Sequence, residues 1–82
     1  MAVNESKRSE NERKFDAWDD LPDGGRRYQL HVPGRSQWKA IYFKEVNQDE
    51  TTVRFWQEIY NEKNELVEVH KKYPEDRGHQ RT

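Results

Sequence analysis

Residues 38–46, WKAIYFKEV, and residues 51–60, TTVRFWQEIY, decide the fold of this 82-residue chain. Both stretches are rich in β-branched and aromatic residues, which favour strands. The first is apolar on both faces for much of its length, as expected of a central strand. Residues 47–50, NQDE, lie between the two stretches and have the composition of a tight turn. The two stretches therefore predict an antiparallel pair of strands.

One further strand is predicted on each side of this pair. Upstream, residues 28–32 alternate between apolar and polar side chains, which is the period-2 pattern of a half-buried strand. Pro33-Gly34 then opens a tight loop. Downstream, residues 61–64, NEKN, predict a turn, and residues 65–73 predict the fourth strand.

The short connections between the four strands exclude parallel pairing, which needs long crossovers. We therefore expect residues 26–73 to form an all-β domain with a single four-stranded antiparallel meander. The sheet is expected to be strongly twisted or curled into a half-barrel. Pro74 ends the last strand, and residues 74–82 are expected to fray.

The N-terminal part has a different composition. Residues 1–14, MAVNESKRSENERK, are polar and lack periodic apolar positions, which predicts a disordered arm. Phe15, Trp18 and Leu21 are spaced three apart, which predicts a short helical turn. Residues 15–25 are thus interpreted as a docking turn and linker, and the fold as mainly β with a short N-terminal helical turn.

Composition and charge exclude several classes of protein. The chain is 30% hydrophobic and 38% charged, and it contains no cysteine, so it has no disulfide framework, thiolate metal site or cysteine nucleophile. It has 15 basic and 16 acidic residues, whereas a general DNA-binding protein would have a strong basic excess. No apolar run approaches the roughly 18 residues of a membrane span, and no signal-peptide pattern begins the chain. We expect a cytoplasmic protein that does not enter a membrane.

Alternation sorts the strand residues into two faces. The predicted core face contains Tyr28, Leu30, Val32, Ile41, Phe43, Val53, Phe55, Ile59, Val67, Val69 and Tyr73. The opposite face contains His31, Trp38, Ala40, Tyr42, Arg54, Trp56, Tyr60, Leu66 and His70. A plain solvated face carries Thr, Lys, Glu and Gln, so the aromatic rings predict either a second core layer or a binding surface.

A flat single-layer sheet of this size is not expected to be stable without a cover, because it buries too little apolar area. Three covers are available to it. One is that the sheet curls over its own core face, and another is that the segment from Phe15 to Leu21 docks across one face. The third is that a second copy packs against the sheet in a homodimer.

The candidate binding residues lie on the aromatic face. They are Trp38, Tyr42, Arg54, Trp56, Tyr60, His31 and His70. Since Trp, Tyr and Arg dominate the energetics of protein interfaces, the expected function is a non-enzymatic module for a protein partner or for self-association. Aromatic rings beside cations also suit single-stranded RNA, which is the alternative ligand. A third alternative is a structural accessory chain that binds only itself.

No motif predicts a catalytic residue, a metal site or a cofactor. The chain has no serine-centred elbow, no glycine-rich phosphate loop and no HExxH sequence. A metal-independent ribonuclease is the enzymatic alternative, because a meander sheet with Arg, Lys, Tyr and His resembles that of the short bacterial toxins that cleave messenger RNA on the ribosome. This resemblance implies acid–base cleavage by His31, His70 or Tyr73 beside Arg54 in a cleft.

Overall fold

Each strand pairs antiparallel with the next one along the chain, so the sheet is a meander, as the sequence predicted. The computed structural model describes residues 4–74 and 78–81, with side chains for residues 4–74. Five strands lie within residues 17–73, where four were predicted, and a sixth lies at residues 78–81, where the tail was expected to fray. The elements are α1 (Glu5–Lys14), β1 (Ala17–Asp20), β2 (Arg26–Pro33), β3 (Lys39–Val46), β4 (Thr52–Tyr60), β5 (Leu66–Tyr73) and β6 (Gly78–Arg81). The sheet is not closed, because β1 and β6 form its two edges.

Three of the turns between strands have the same construction. In residues 21–25, 47–51 and 61–65, the first residue's N–H donates to the fifth residue's carbonyl, and the fourth residue's N–H donates to the first residue's carbonyl. The fourth residue takes a left-handed conformation in each turn, with φ of 88° at Gly24, 62° at Glu50 and 64° at Asn64. This geometry belongs to three-residue hairpin loops. Glycine and asparagine are its usual occupants, so Glu50 is the exception.

The structure corrects the sequence prediction for the N-terminal part. Residues Glu5–Lys14 are helical, not disordered, and the Asn4 side chain caps the helix by accepting the N–H of Lys7 at 3.1 Å. Its one buried residue is the polar Asn11, so the helix lacks the apolar periodicity that sequence analysis detects. The predicted helical turn over residues 15–21 is wrong, because Ala17–Asp20 pairs with β2 as a strand.

Strand register divides the side chains between two faces of the sheet. The α1 face, which the helix contacts, contains Trp18, Arg26, Tyr28, Leu30, Val32, Ala40, Tyr42, Lys44, Val46, Phe55, Gln57, Ile59 and His70. The Trp56 face contains Arg27, Gln29, His31, Lys39, Ile41, Phe43, Glu45, Arg54, Trp56, Glu58, Tyr60, Val69 and Lys71.

The predicted core face is correct for β2 and for Phe55 and Ile59 of β4, but wrong for β3. Tyr42 lies opposite Leu30 and Gln57, whereas Ile41 lies opposite His31 and Glu58. Tyr42 therefore belongs to the α1 face, and Ile41 and Phe43 to the other, where Ile41 is nevertheless buried as predicted. A strand that is apolar on both sides does not encode which side faces the core, and a one-residue change of register inverts every side chain. Val69 of β5 is also on the Trp56 face, not with the predicted core.

The hydrophobic core lies at one end of the α1 face. Phe15, Tyr28 and Val46 are 5%, 0% and 1% exposed, and the Phe15 and Tyr28 ring centroids are 5.4 Å apart. Leu30 and Phe55 pack against this cluster. We call this region beneath α1 the covered end. The other end of the same face, at Val32, Trp38, Ala40, Tyr42 and Ile59, is the open end.

A buried carboxylate fastens α1 to the covered end. Glu50 accepts hydrogen bonds from the Tyr28 hydroxyl at 2.7 Å, from Asn11 Nδ2 at 3.1 Å and from Arg8 Nε at 3.1 Å. Burial raises the pKa of the Glu50 carboxyl, but these three donors outweigh it and lower that pKa. A second contact joins Arg26 to Glu12 of the helix at 2.8 Å. The helix is therefore held mainly by charged and polar groups.

β2 extends beyond the first residue of β1, and this unpaired edge of β2 is shielded against pairing with another strand. On this side, no residue of β1 lies opposite His31. Its N–H donates instead to the Asp16 carboxylate at 2.8 Å. Pro33, at the end of β2, has no N–H to offer. The extension of β2 beyond β1 therefore presents few free donors along this edge.

Candidate binding surfaces

The seven candidate binding residues do not form one surface. The structure places Trp38, Tyr42 and His70 with the α1 face. It places Arg54, Trp56, Tyr60 and His31 on the Trp56 face. The cause is the inverted register of β3, which moves Tyr42 away from Trp56. Each face therefore carries its own candidate site.

On the Trp56 face, the aromatic rings already have partners within the chain. The Phe43 and Trp56 rings are stacked, with centroids 4.9 Å apart and planes inclined by 12°. The Arg54 guanidinium lies over the Trp56 ring at 4.7 Å from its centroid. Lys39 similarly lies over the Tyr60 ring at 5.6 Å. These contacts make the Trp56 face a packed layer of rings and cations.

Glu58 joins the two largest rings of this face. One carboxylate oxygen accepts the Trp56 Nε1–H at 3.0 Å, and the other accepts the Tyr60 hydroxyl at 2.5 Å. The hydrogen bond to Glu58 and, secondarily, burial raise the pKa of Tyr60 to about 12. Both oxygens of Glu58 are thus engaged, and the Tyr60 phenol stays protonated at neutral pH.

Arg54 is also paired. Its Nη2 lies 2.8 Å from Glu45 Oε1, and the other oxygen of Glu45 accepts from Arg27 Nε at 2.7 Å. Glu45 is buried, and burial raises its pKa, but the two arginines lower it further than burial raises it. The single Glu45 carboxylate is therefore shared by two guanidinium groups and compensates one of their two positive charges.

The histidines lie on opposite faces, so they do not share a site. His31 is exposed on the Trp56 face, with Nε2 3.3 Å from Gln29 Oε1, whereas His70 lies opposite Gln57. A shallow cleft of about 360 Å³ does bring Tyr73 and Arg54 together, as the ribonuclease interpretation requires. Its other lining residues are Trp56, Glu58, Val69 and Lys71, and neither His31 nor His70 is among them.

The largest described groove lies at the open end of the α1 face. It has a volume of about 500 Å³ and is lined by Val32, Pro33, Gly34, Arg35, Ser36, Trp38, Lys39, Ala40, Tyr42, Gln57 and Ile59. The Trp38 indole N–H donates to Glu62 at 2.6 Å, and Gln57 donates to the Tyr42 hydroxyl at 3.1 Å. These hydrogen bonds fix the orientation of the Trp38 and Tyr42 side chains, which line the groove. The surface of the groove is mainly apolar.

Sequence reasoning found only part of this groove. Trp38 and Tyr42 were predicted as binding residues, whereas Val32 and Ile59 were predicted as core. Val32 is 39% exposed and Trp38 is 38% exposed. The sequence did not indicate the position of α1, which covers one end of the α1 face and leaves the other end exposed.

No cluster of three or more His, Cys, Asp or Glu side chains that would hold a metal ion occurs within the described residues. Within the same residues, no helix is long and apolar enough to cross a membrane. The comparisons with known proteins found no matching family model, no similar curated protein and no similar solved structure.

Proposed function

We propose that this chain is a non-enzymatic, self-associating module whose open end packs against the open end of a second copy. The observation that carries the proposal is the apolar groove at Val32, Trp38, Tyr42 and Ile59, over which no other described element packs. A sheet needs a second layer over its apolar face, and α1 supplies it only at the covered end. A second copy would supply it at the other end.

The charges around the open end favour a second copy as the occupant. The β2–β3 connection contributes one cation, Arg35, at one border of the groove, and Lys39 follows at the start of β3. The β4–β5 turn at the same end of the sheet contributes Glu62 and Glu65, with Lys63 between them. A two-fold axis through the groove would place the cationic connection of each copy against the acidic turn of the other. Isologous interfaces require this kind of self-complementary surface.

The size of the open end predicts weak association. Three strands spaced about 4.8 Å apart and five residues of about 3.4 Å each give a plan area of roughly 250 Å² per copy. A standard interface buries about 800 Å² of accessible surface per partner. Even with the flanking connections included, we expect a dissociation constant in the micromolar range or above.

Single-stranded RNA has less support as a ligand. Base stacking needs an exposed aromatic platform. The Trp56 ring is instead contacted by Phe43 and Arg54, and Arg54 is itself paired with Glu45. A protein surface is therefore the partner that this arrangement favours.

Sedimentation velocity over protein concentrations from about 1 to about 500 µM tests the proposal. Wild type should shift from monomer to dimer. Val32→Asp should weaken dimerisation at least about tenfold, because it places a charge inside the interface. Val53→Asp is the matched control, since Val53 is 44% exposed on β4 and does not line the groove. A wild type that stays monomeric throughout, or equal association of both variants, would overturn the proposal.

A charge exchange tests the orientation of the two copies. Arg35→Glu and Glu65→Arg should each weaken dimerisation, and the double variant should recover it. Since no ion pair joins Arg35 to Glu65 within the described part of one chain, recovery would support the face-to-face arrangement. Additive losses in the double variant would contradict it.

A further inference from the structure

A second cleft, separate from the groove at the open end, lies where the end of α1 meets the sheet. It has a volume of about 440 Å³ and is lined by Lys14, Phe15, Lys44, Thr51, Thr52, Phe55 and Tyr73. Three aromatic rings form its apolar walls, and two lysines and two threonine hydroxyls are its polar groups. Carboxylates are absent from this lining.

The two lysines lack a counter-ion within the described part of the chain. Lys44 donates to a neutral group, Asn11 Oδ1, at 2.9 Å. Among residues 4–74, no carboxylate lies within 4.0 Å of the ammonium group of Lys44 or of Lys14. Two other basic side chains of this end, Arg8 and Arg26, do form such pairs. The positive charge of the cleft is therefore left uncompensated at short range.

Electrostatics add to this imbalance. Burial lowers the pKa of Lys44, and the nearby charges of Lys14 and Lys7 lower it further, against the attraction of Glu50 and Glu10. A half-buried ammonium group without a counter-ion at short range is stabilised by an anion that enters the cleft. The aromatic walls would at the same time bury an apolar body attached to that anion.

We infer that this cleft binds an organic anion with a flat apolar body and a carboxylate group. The carboxylate would lie between Lys14 and Lys44, within reach of the Thr51 and Thr52 hydroxyls. The ring system would pack against Phe15, Phe55 and Tyr73. The inference is independent of self-association, because the cleft and the open end share no lining residue.

Titration with 2-naphthoate, followed by amide NMR shifts of the full chain, tests the inference. We expect saturable shifts at Thr51 and Thr52 and none at Val32 or Ala40. The neutral isostere 2-naphthamide should bind at least about fivefold more weakly, because it keeps the ring and loses the charge. Raising the salt concentration from about 50 to about 500 mM should weaken naphthoate binding.

Substitutions of the lysines separate this site from a non-specific cationic surface. Lys44→Met and Lys14→Met keep the side-chain stem and remove the charge, so each should weaken naphthoate binding at least about fivefold. Lys63→Met, in the exposed β4–β5 turn, is the matched control and should bind as wild type does. Lys14 is exposed on the helix, so its variant remains informative if Lys44→Met does not fold.

Three outcomes would overturn the inference. They are equal binding of naphthoate and naphthamide, shifts confined to the open end, and undiminished affinity in both lysine variants.

Discussion

The covered end and the open end of the α1 face belong to the same three strands, yet they are buried to very different extents. At the covered end, Tyr28 and Val46 are almost inaccessible, whereas Val32 and Trp38 at the open end are more than one-third exposed. Both ends offer apolar side chains. The difference is α1, which is fastened by Glu50 and Arg26 rather than by an apolar stripe. Buried polar anchors can thus decide which part of a sheet becomes the core.

The largest expected effect comes from truncating the core beneath α1. Phe15→Ala should lower the free energy of unfolding by about 3 kcal/mol, because it removes a buried ring and leaves a cavity. Trp38→Ala, at the open end, should cost less than about 1 kcal/mol in the monomer despite the larger side chain. Urea unfolding of dilute protein, followed by circular dichroism, measures both. Equal losses would show that the two ends contribute alike, and the contrast between them would be wrong.

A smaller loss of stability is expected when the Glu50 carboxylate, which holds the helix on the sheet, is replaced. Glu50→Gln should lower the free energy of unfolding by about 2 kcal/mol, because a neutral amide replaces a charged acceptor of three hydrogen bonds. Since the folded state lowers the pKa of Glu50, its contribution is present above the ordinary value of 4.5 and is lost as the pH falls through the folded value. Urea midpoints measured from pH 7 to about pH 3 should therefore fall less steeply in Glu50→Gln than in wild type.

The turn that contains Glu50 supplies a control for this prediction. Gly24 and Asn64 occupy the same left-handed position in the two equivalent turns. If only the turn mattered, Glu50→Asn would be neutral or stabilising, because asparagine tolerates this conformation better. We expect a net loss of stability instead. A gain would show that α1 does not depend on the Glu50 carboxylate.

The smallest effect tests whether polar anchoring also acts on the Trp56 face, away from α1. Ultraviolet absorbance should show Tyr60 titrating near pH 12, and Glu58→Gln should lower that midpoint, because the charged acceptor is gone. Since the folded state raises the pKa of Tyr60, this contribution is complete below pH 10 and is lost as the pH rises through about 12. Tyr60→Phe identifies the transition, which is needed because the pKa of Tyr28 is also raised to about 12. An unchanged midpoint in Glu58→Gln would contradict the assignment.

The four central strands could be predicted from the sequence because their signals are local. Alternation indicated β2, and the polar turns predicted at residues 47–50 and 61–64 set the boundaries of β3, β4 and β5 to within one residue. The face of β3 could not be predicted, since both sides of that strand are apolar. The helix was missed because its docking uses Asn11, Arg8 and Glu12, which are indistinguishable in composition from a solvated arm.

For the candidate site, the sequence indicated which types of residue take part but not which of them share a surface. Trp38 and Tyr42 do line the groove, but Trp56 and Tyr60 were assigned to the same surface and lie on the other one. Grouping side chains across strands requires the register of every strand between them. The cleft at Lys14 and Lys44 depends on the position of α1, so no pattern within the strands indicated it.

The hydrogen bond from the His31 N–H to the Asp16 carboxylate affects how many copies of the chain can assemble. Two sheets that stack through their faces form a closed pair, whereas sheets that join through their edges can add further copies without limit and grow into fibrils. Along the β1 side of β2, the side-chain acceptor at Asp16 and the missing donor at Pro33 oppose such growth. A chain that exposes an apolar groove thus retains, along this edge, a local barrier against polymerisation.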